Sequence, residues 1–121
     1  MSKYHNRKVT TYDGIVHDSR KEAVRWGELK LLEEQGKITE LKRQIDFPLI
    51  PPQYENIETG KRKKKTKRKL VERAVTYRAD FVYHDENGDI VVEDTKGFKT
   101  RDYIIKRKLM LWVYSIRIKE V

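Results

Sequence analysis

The sequence predicts an α/β fold: a mixed β-sheet flanked by two helices and entered through an N-terminal hairpin. Three observations carry this expectation. Ser19 to Gly36 is a well-capped helical stretch, and Thr100 to about Tyr114 is a second helical one. Leu41 to Ile50, Leu70 to Tyr83, Ile90 to Lys96 and Ile116 to Val121 read as strands. Strands and helices in that order bury their apolar faces as helices packed on a sheet.

Lys8 to His17 alternates loosely around Tyr12-Asp13-Gly14, a turn signal, and reads as a short hairpin. Ser19 is a good N-cap, and Ser19-Arg20-Lys21-Glu22 matches the capping box. Gly36 supplies the stop, giving a helix of roughly 16 residues and about 24 Å. Leu41 to Ile50 places Leu41, Ile45, Phe47 and Leu49 on one face and ends at Pro51-Pro52. Leu70 to Tyr83 is expected as one long strand, with Val75, Tyr77, Ala79, Phe81 and Tyr83 on one face. Asp85-Glu86-Asn87-Gly88-Asp89 is a turn leading into Ile90 to Lys96.

The 121 residues suit one domain, residues 1–121, with one core. Charged residues (39%) outnumber hydrophobic ones (37%), so that core is modest and the surface heavily charged. No apolar run approaches the ~20 residues that span a bilayer, and no secretory signal opens the chain. The expectation is a soluble cytoplasmic protein with no membrane partner. Absence of cysteine excludes disulfides and thiolate metal sites.

The net charge of +9 is concentrated in one place. Eight of the nine residues from 61 to 69 are basic: Lys61, Arg62, Lys63, Lys64, Lys65, Lys67, Arg68 and Lys69. Taking those eight from 28 basic residues leaves 20 against 19 acidic ones, close to neutrality. Such a run repels itself, so a mobile basic loop inserted at about 55–70 is expected, with a polyanion, DNA above all, as its partner.

The stretch Val91-Val92-Glu93-Asp94-Thr95-Lys96-Gly97 carries the chemistry. Asp94 and Lys96 are two residues apart on a strand and share a face. The neighbouring strand, Tyr77-Arg78-Ala79-Asp80-Phe81, brings a second carboxylate. Two registers are open. A two-residue loop at Asn87-Gly88 sets Asp80 opposite Thr95 and separates the acids. A three-residue loop, Glu86-Asn87-Gly88, pairs Asp85 with Asp89 and sets Asp80 opposite Asp94. Function requires the second. Opposed aspartates repel, and a shared Mg²⁺, or Mn²⁺ in its place, relieves the repulsion with the all-oxygen ligands such hard cations take. Glu22 has two readings: it closes the capping box, or it joins the site from the helix face that packs on the sheet. Gln44 alternates away from Leu41, Ile45 and Phe47, as a polar strand residue or one aimed at the active side. His5, His17 and His84 lack ligand spacing and are expected in structural or surface roles. Lys99, Arg101, Lys106, Arg107 and Lys108 either grip phosphates or form a solvated face.

At Glu22, Ala79-Asp80 and Asp94-Thr95-Lys96 the chain resembles the PD-(D/E)XK nuclease superfamily. More closely it is similar to a small family of phage proteins, long labelled as of unknown function, placed in that superfamily. The shared pattern includes Lys3-Tyr4, Asp13-Gly14-Ile15, Asp18-Ser19-Arg20-Lys21-Glu22-Ala23, Arg43-Gln44, Tyr77-Arg78-Ala79-Asp80-Phe81 and Val92-Glu93-Asp94-Thr95-Lys96-Gly97. It covers nearly the whole chain apart from the basic run. Two departures stand out: Ala79 replaces the superfamily's proline, and His17 sits where relatives tend to be aromatic. The resemblance implies a restriction-endonuclease-like core and Mg²⁺ bound by Asp80, Asp94 and the Thr95 backbone carbonyl. It also implies that Glu22 completes the site and that Lys96 orients the water or steadies the transition state. The implied activity is a metal-dependent DNA endonuclease acting on branched or structured DNA, in the manner of a Holliday-junction resolvase, in the cytoplasm of a bacterial host. A resolvase's paired cuts call for a homodimer. The alternatives are a DNA-binding protein that keeps the fold without turnover, or an RNA-binding or assembly protein acting through its basic run.

Overall fold

A short hairpin precedes the first helix. The computed structural model describes residues 7–62 and 64–121; Lys3, Tyr4, His5 and Lys63 lie outside the described residues. β1 (Val9–Thr10) pairs antiparallel with β2 (Val16–His17) across the Tyr12-Asp13-Gly14 turn. Asp13 locks this hairpin to the helix behind it, taking hydrogen bonds from the Thr11 hydroxyl and, at 2.7 Å, from the Trp26 indole. Those two bonds hold its carboxyl at about 2.

Helix α1 (Arg20–Glu34) starts where the Ser19 hydroxyl oxygen accepts the Glu22 backbone N–H at 3.1 Å. It ends at Gly36, whose φ of 73° is the left-handed conformation a helix stop needs. Glu22, Ala23, Trp26 and Leu29 recur at three- and four-residue steps and form the buried stripe. Helix α2 (Arg101–Tyr114) is capped by Thr100 and buries Tyr103 and Met110. Neither is long and apolar enough to cross a membrane.

Between and after the helices runs a four-stranded mixed sheet in the order β3–β6–β7–β8: β3 (Thr39–Ile50), β6 (Val75–His84), β7 (Ile90–Asp94) and β8 (Lys119–Glu120). The first three strands are antiparallel. β8 lies parallel to β7, and α2 makes the crossover that a parallel pair requires. The β6–β7 turn has the three-residue form. Asp85 donates its N–H to the Asp89 carbonyl at 2.9 Å, Gly88 has a φ of 82°, and Val82 pairs with Val92. That register puts Asp80 level with Asp94, although the ladder itself stops one pair earlier, at Phe81 and Glu93.

Three expectations need correction. The basic run is not all loop: Lys65 to Lys69 stand in β5 (Lys65–Glu72), which forms an antiparallel arm with β4 (Gln53–Thr59), while Lys61, Arg62 and Lys64 lie at the turn between the two strands. Backbone pairing and alternation of side chains across two faces outweigh the repulsion along the run. Nor is 70–83 one strand, because Pro51 and Pro52 lack the N–H donors that would continue the ladder, and it breaks between arm and sheet.

The third correction concerns faces. Tyr77 and Ala79 pack with Tyr103 and Met110 of α2, whereas Phe81 and Tyr83 pack with Trp26 and Leu29 of α1. Strand β6 therefore changes sides at Asp80. Strand β3 does the same at Gln44: Leu41 joins the α1 cluster, and Ile45 and Leu49 join the α2 cluster. Gln44 has a φ of 54°, and the ladder pairs Arg43 with Phe81 and Ile45 with Ala79 on either side of this level. A residue forced through left-handed backbone reverses the alternation.

Glu93, fully buried, ties α1 to the sheet. Arg25 donates two bonds to its two oxygens, each at 2.7 Å, and the Tyr83 hydroxyl adds another. Burial alone would push this carboxyl up, but the bonds from Arg25 and Tyr83 outweigh it and hold it below the usual range. The lowered value means the pair stabilises the fold above the unfolded pKa of about 4.3, and that contribution is lost as pH falls through the folded value. Arg25→Ala should therefore cost roughly 3–5 kcal/mol at neutral pH by stranding a buried charge. Urea denaturation should show this deficit shrinking as pH falls, beginning above the ordinary carboxylate range, where the stranded, buried carboxyl takes up its proton, and continuing down through the lowered folded value of the pair. A deficit independent of pH would mean Arg25 acts through packing alone.

Candidate active site

The N-terminus of α1, the turning point of β6 and the chain leaving β7 enclose a cleft of about 510 Å³. Its lining includes Asp18, Lys21, Glu22, Asp80, Asp94, Thr95 and Lys96. All four side chains expected to carry the chemistry are thus gathered around one space: Glu22 from α1, Asp80 and Asp94 from β6 and β7, and Lys96 from the chain that leaves β7.

Each acid is held differently. Asp94 points to the α2 side, where the Tyr77 hydroxyl donates to Oδ2 at 2.6 Å. Its Oδ1 is buried and has no hydrogen-bond partner among the described residues. Burial and then the charge of Asp80 push its carboxyl up, against the pull of Tyr77 and Lys96. Asp80 accepts both the N–H of Thr95, at 2.9 Å, and the Thr95 hydroxyl, at 2.8 Å, through Oδ2. A side chain thereby ends β7 where a backbone carbonyl would have prolonged it.

Glu22 does not close the capping box. Its backbone N–H is used by Ser19, but its carboxylate turns toward β3, where Gln44 Nε2 donates to Oε1 at 3.1 Å and Arg43 lies 3.6 Å away. Burial first, then Asp80 and Asp18, raise its pKa. The Lys96 ammonium sits 5.5 Å from the centre of the Tyr103 ring at the exposed mouth of the cleft. Arg78 forms a two-point ion pair with Asp46, at 2.8 and 3.1 Å.

Sequence reading missed several contributors. Tyr77 reads as a core residue, and its hydroxyl contact to Asp94 depends on a register that only folding supplies. Asp18 and Lys21 lie within the quoted Asp18-to-Ala23 motif without any signal of their own role. His17 is fully buried, with Nδ1 3.8 Å from Glu22, and burial lowers its pKa. It supports the wall behind Glu22 as a neutral ring. His84 lies 3.0 Å from Glu40, away from the cleft lining. Lys99 and Arg107 both approach Glu120, at 3.8 and 3.3 Å. Among the described residues, the basic side chains of Lys61, Arg62, Lys64, Lys65, Lys67, Arg68 and Lys69 do not line the cleft.

No three His, Asp or Glu side chains among the described residues are grouped as a ready-made cage for an ion. Mg²⁺ does not need one, since it keeps several waters and takes one or two protein carboxylates. The donors present fit such an ion: a buried carboxylate oxygen without a partner, a second aspartate beside it, and an all-oxygen set.

A family model described as "Protein of unknown function (DUF1064)" matches residues 1–119. The chain belongs to this family. The DUF1064 match takes in both the cleft and the arm. No curated protein and no solved structure matches the chain.

Adding Mg²⁺ or Mn²⁺ at neutral pH should raise the melting temperature. At tenfold excess over Kd the stabilisation is about 1.4 kcal/mol, or roughly 4–8 °C. Asp94→Asn should abolish that shift while Asp102→Asn, on the surface of α2, retains it. Equal shifts in the two variants would place cation binding elsewhere.

Proposed function

We propose that the protein is a Mg²⁺-dependent deoxyribonuclease with a restriction-endonuclease-like core, hydrolysing phosphodiester bonds in branched or otherwise structured DNA. One observation carries this reading. Glu22, Asp80, Asp94 and Lys96 surround a single cleft in which a buried Asp94 oxygen has no partner among the described residues. A purely structural carboxylate would be expected to resemble Glu93, with both oxygens bonded.

Asp80 and Asp94 would hold the ion, with the Thr95 carbonyl and Glu22 as further oxygen donors. When bound, Mg²⁺ or its substitute Mn²⁺ polarises the scissile phosphate and lowers the pKa of a water. The chain's own groups supply the rest. Tyr77 fixes the Asp94 carboxylate so that one oxygen remains presented. Thr95 does the same for Asp80, using one oxygen and leaving the other. Lys96, a compact cation at the cleft mouth, orients the attacking water and offsets charge growing on the phosphate oxygens. Glu22, buried beside the cleft, is placed to take a proton from that water as the new P–O bond forms and the ester P–O bond breaks, the leaving oxygen taking its proton from solvent.

The basic arm supplies affinity for the polyanion through phosphate contacts, which carry no sequence information, so shape governs substrate choice. Paired cuts would call for a homodimer. A cytoplasmic site of action in a bacterial host accords with this reading.

Purified protein should cleave a four-way junction or a flap in preference to a linear duplex or a single strand in Mg²⁺ or Mn²⁺ and do nothing in EDTA. Asp80→Ala and Lys96→Ala should each lose on the order of 10²-fold or more in rate while still binding DNA. Binding without cleavage in either metal would instead favour a DNA-binding protein that keeps this fold without turnover.

A further inference from the structure

The arm distributes its charge unevenly between two faces. Alternate residues of a strand share a face. Pairing sets Lys65, Lys67 and Lys69 beside Thr59, Ile57 and Glu55, and sets Thr66, Arg68 and Leu70 beside Glu58, Asn56 and Tyr54. On the second face the cation is occupied: the Arg68 guanidinium lies 3.7 Å from the centre of the Tyr54 ring. Lys64, at the turn, pairs with Glu58 at 3.6 Å. Lys65, Lys67 and Lys69 are exposed, and their ammonium groups form no ion pair among the described residues. Three like charges in a row, with Glu55 opposite Lys69 as the one acid among their cross-strand neighbours, raise the energy of the isolated arm, and a regular polyanion lowers it.

The spacing identifies the polyanion. Two residues of antiparallel strand advance about 6.8 Å, close to the ~7 Å that separates successive phosphates along one strand of B-DNA, whose axial rise is ~3.4 Å per nucleotide. A row of alternate lysines therefore keeps step with successive phosphates. The right-handed twist of a two-stranded ribbon suits a duplex, whose major groove admits such an element. An anionic bilayer would neutralise the row too, but Ile57 beside it and the exposed Val71 two residues beyond Lys69 are too little to anchor in lipid.

We infer that the Lys65, Lys67 and Lys69 face of the arm seats on the phosphate backbone of duplex DNA flanking the cleft, no more than about 15 base pairs from it. This rests on reading the cleft as a DNA site. The limit comes from contour length. Lys69 and Lys65 are 11 and 15 residues from Asp80. Fully extended, these stretches reach at most ~37 and ~51 Å, or about 11 and 15 base pairs.

The test is binding of four-way junctions by anisotropy in EDTA, so that cleavage plays no part. With junction arms of about 15 base pairs, K65Q/K67Q/K69Q should make the log–log salt slope shallower by about 2.7, at about 0.9 per lost phosphate contact. K64Q/R68Q should leave the slope almost unchanged. Lengthening the junction arms to about 30 base pairs should add nothing to the triple variant's deficit. Should the triple variant lose the arm's ordered structure, Lys67→Gln alone repeats the test with an expected change of about 0.9. An unchanged slope, equal effects per charge from both faces, or a deficit confined to binding of phosphatidylserine vesicles overturns the inference. A slope change without cleavage in any metal would leave it standing and sink the nuclease reading instead.

Discussion

Adjacent acids at positions 93 and 94 of one short strand impose the constraint on which the rest depends. The pleat of β7 sends them to opposite faces of a sheet covered by helices, so two carboxylates are buried back to back. Glu93 meets a guanidinium and a phenol that bond both of its oxygens. Asp94 meets a phenol that bonds one. The fold has thus closed one charge and left its neighbour half open. The closed one anchors α1, whose first turn brings Glu22 to the cleft. The open one sits within the cleft itself.

Asp80 joins these halves. Regular alternation along β6 would aim its neighbours Ala79 and Phe81 at the same helix. The change of side at Asp80, matched by Gln44 on β3, lets the sheet be covered by α2 along one stretch and by α1 along the next. The same irregular level frees the Asp80 carboxylate to bond Thr95, which terminates β7 and turns Lys96 out of the sheet. Packing and site geometry share one cause here.

Much of this was legible in the sequence. Ser19, Gly36 and the apolar spacing between them mark α1, because capping and periodicity act locally. The Asp85-to-Asp89 turn narrows the β6–β7 register to two choices, and the acids gain a shared cleft in only one of them. The change of face was not legible. Tyr77, Ala79, Phe81 and Tyr83 alternate as one apolar face would, and only the presence of a different helix on each side reveals the break. The arm was misread for a related reason. Its charge suggested a loop, while the determinant was the cross-strand partner, Tyr54 to Thr59, which looks unremarkable alone. Tyr77 as the clamp on Asp94 likewise depends on contacts between distant stretches of chain.

The diproline at 51 and 52 separates the hydrogen-bond ladder of the arm from that of the sheet. A two-stranded ribbon with almost every side chain exposed has little stability of its own. Its fraying therefore stays outside the body of the protein. Its length is also free to drift between relatives, with one arithmetic restriction. Gaining or losing residues in pairs keeps each side chain on its own surface, whereas an odd indel rolls everything beyond it to the reverse. Evolution can lengthen or trim this appendage in steps of two without disturbing the cleft.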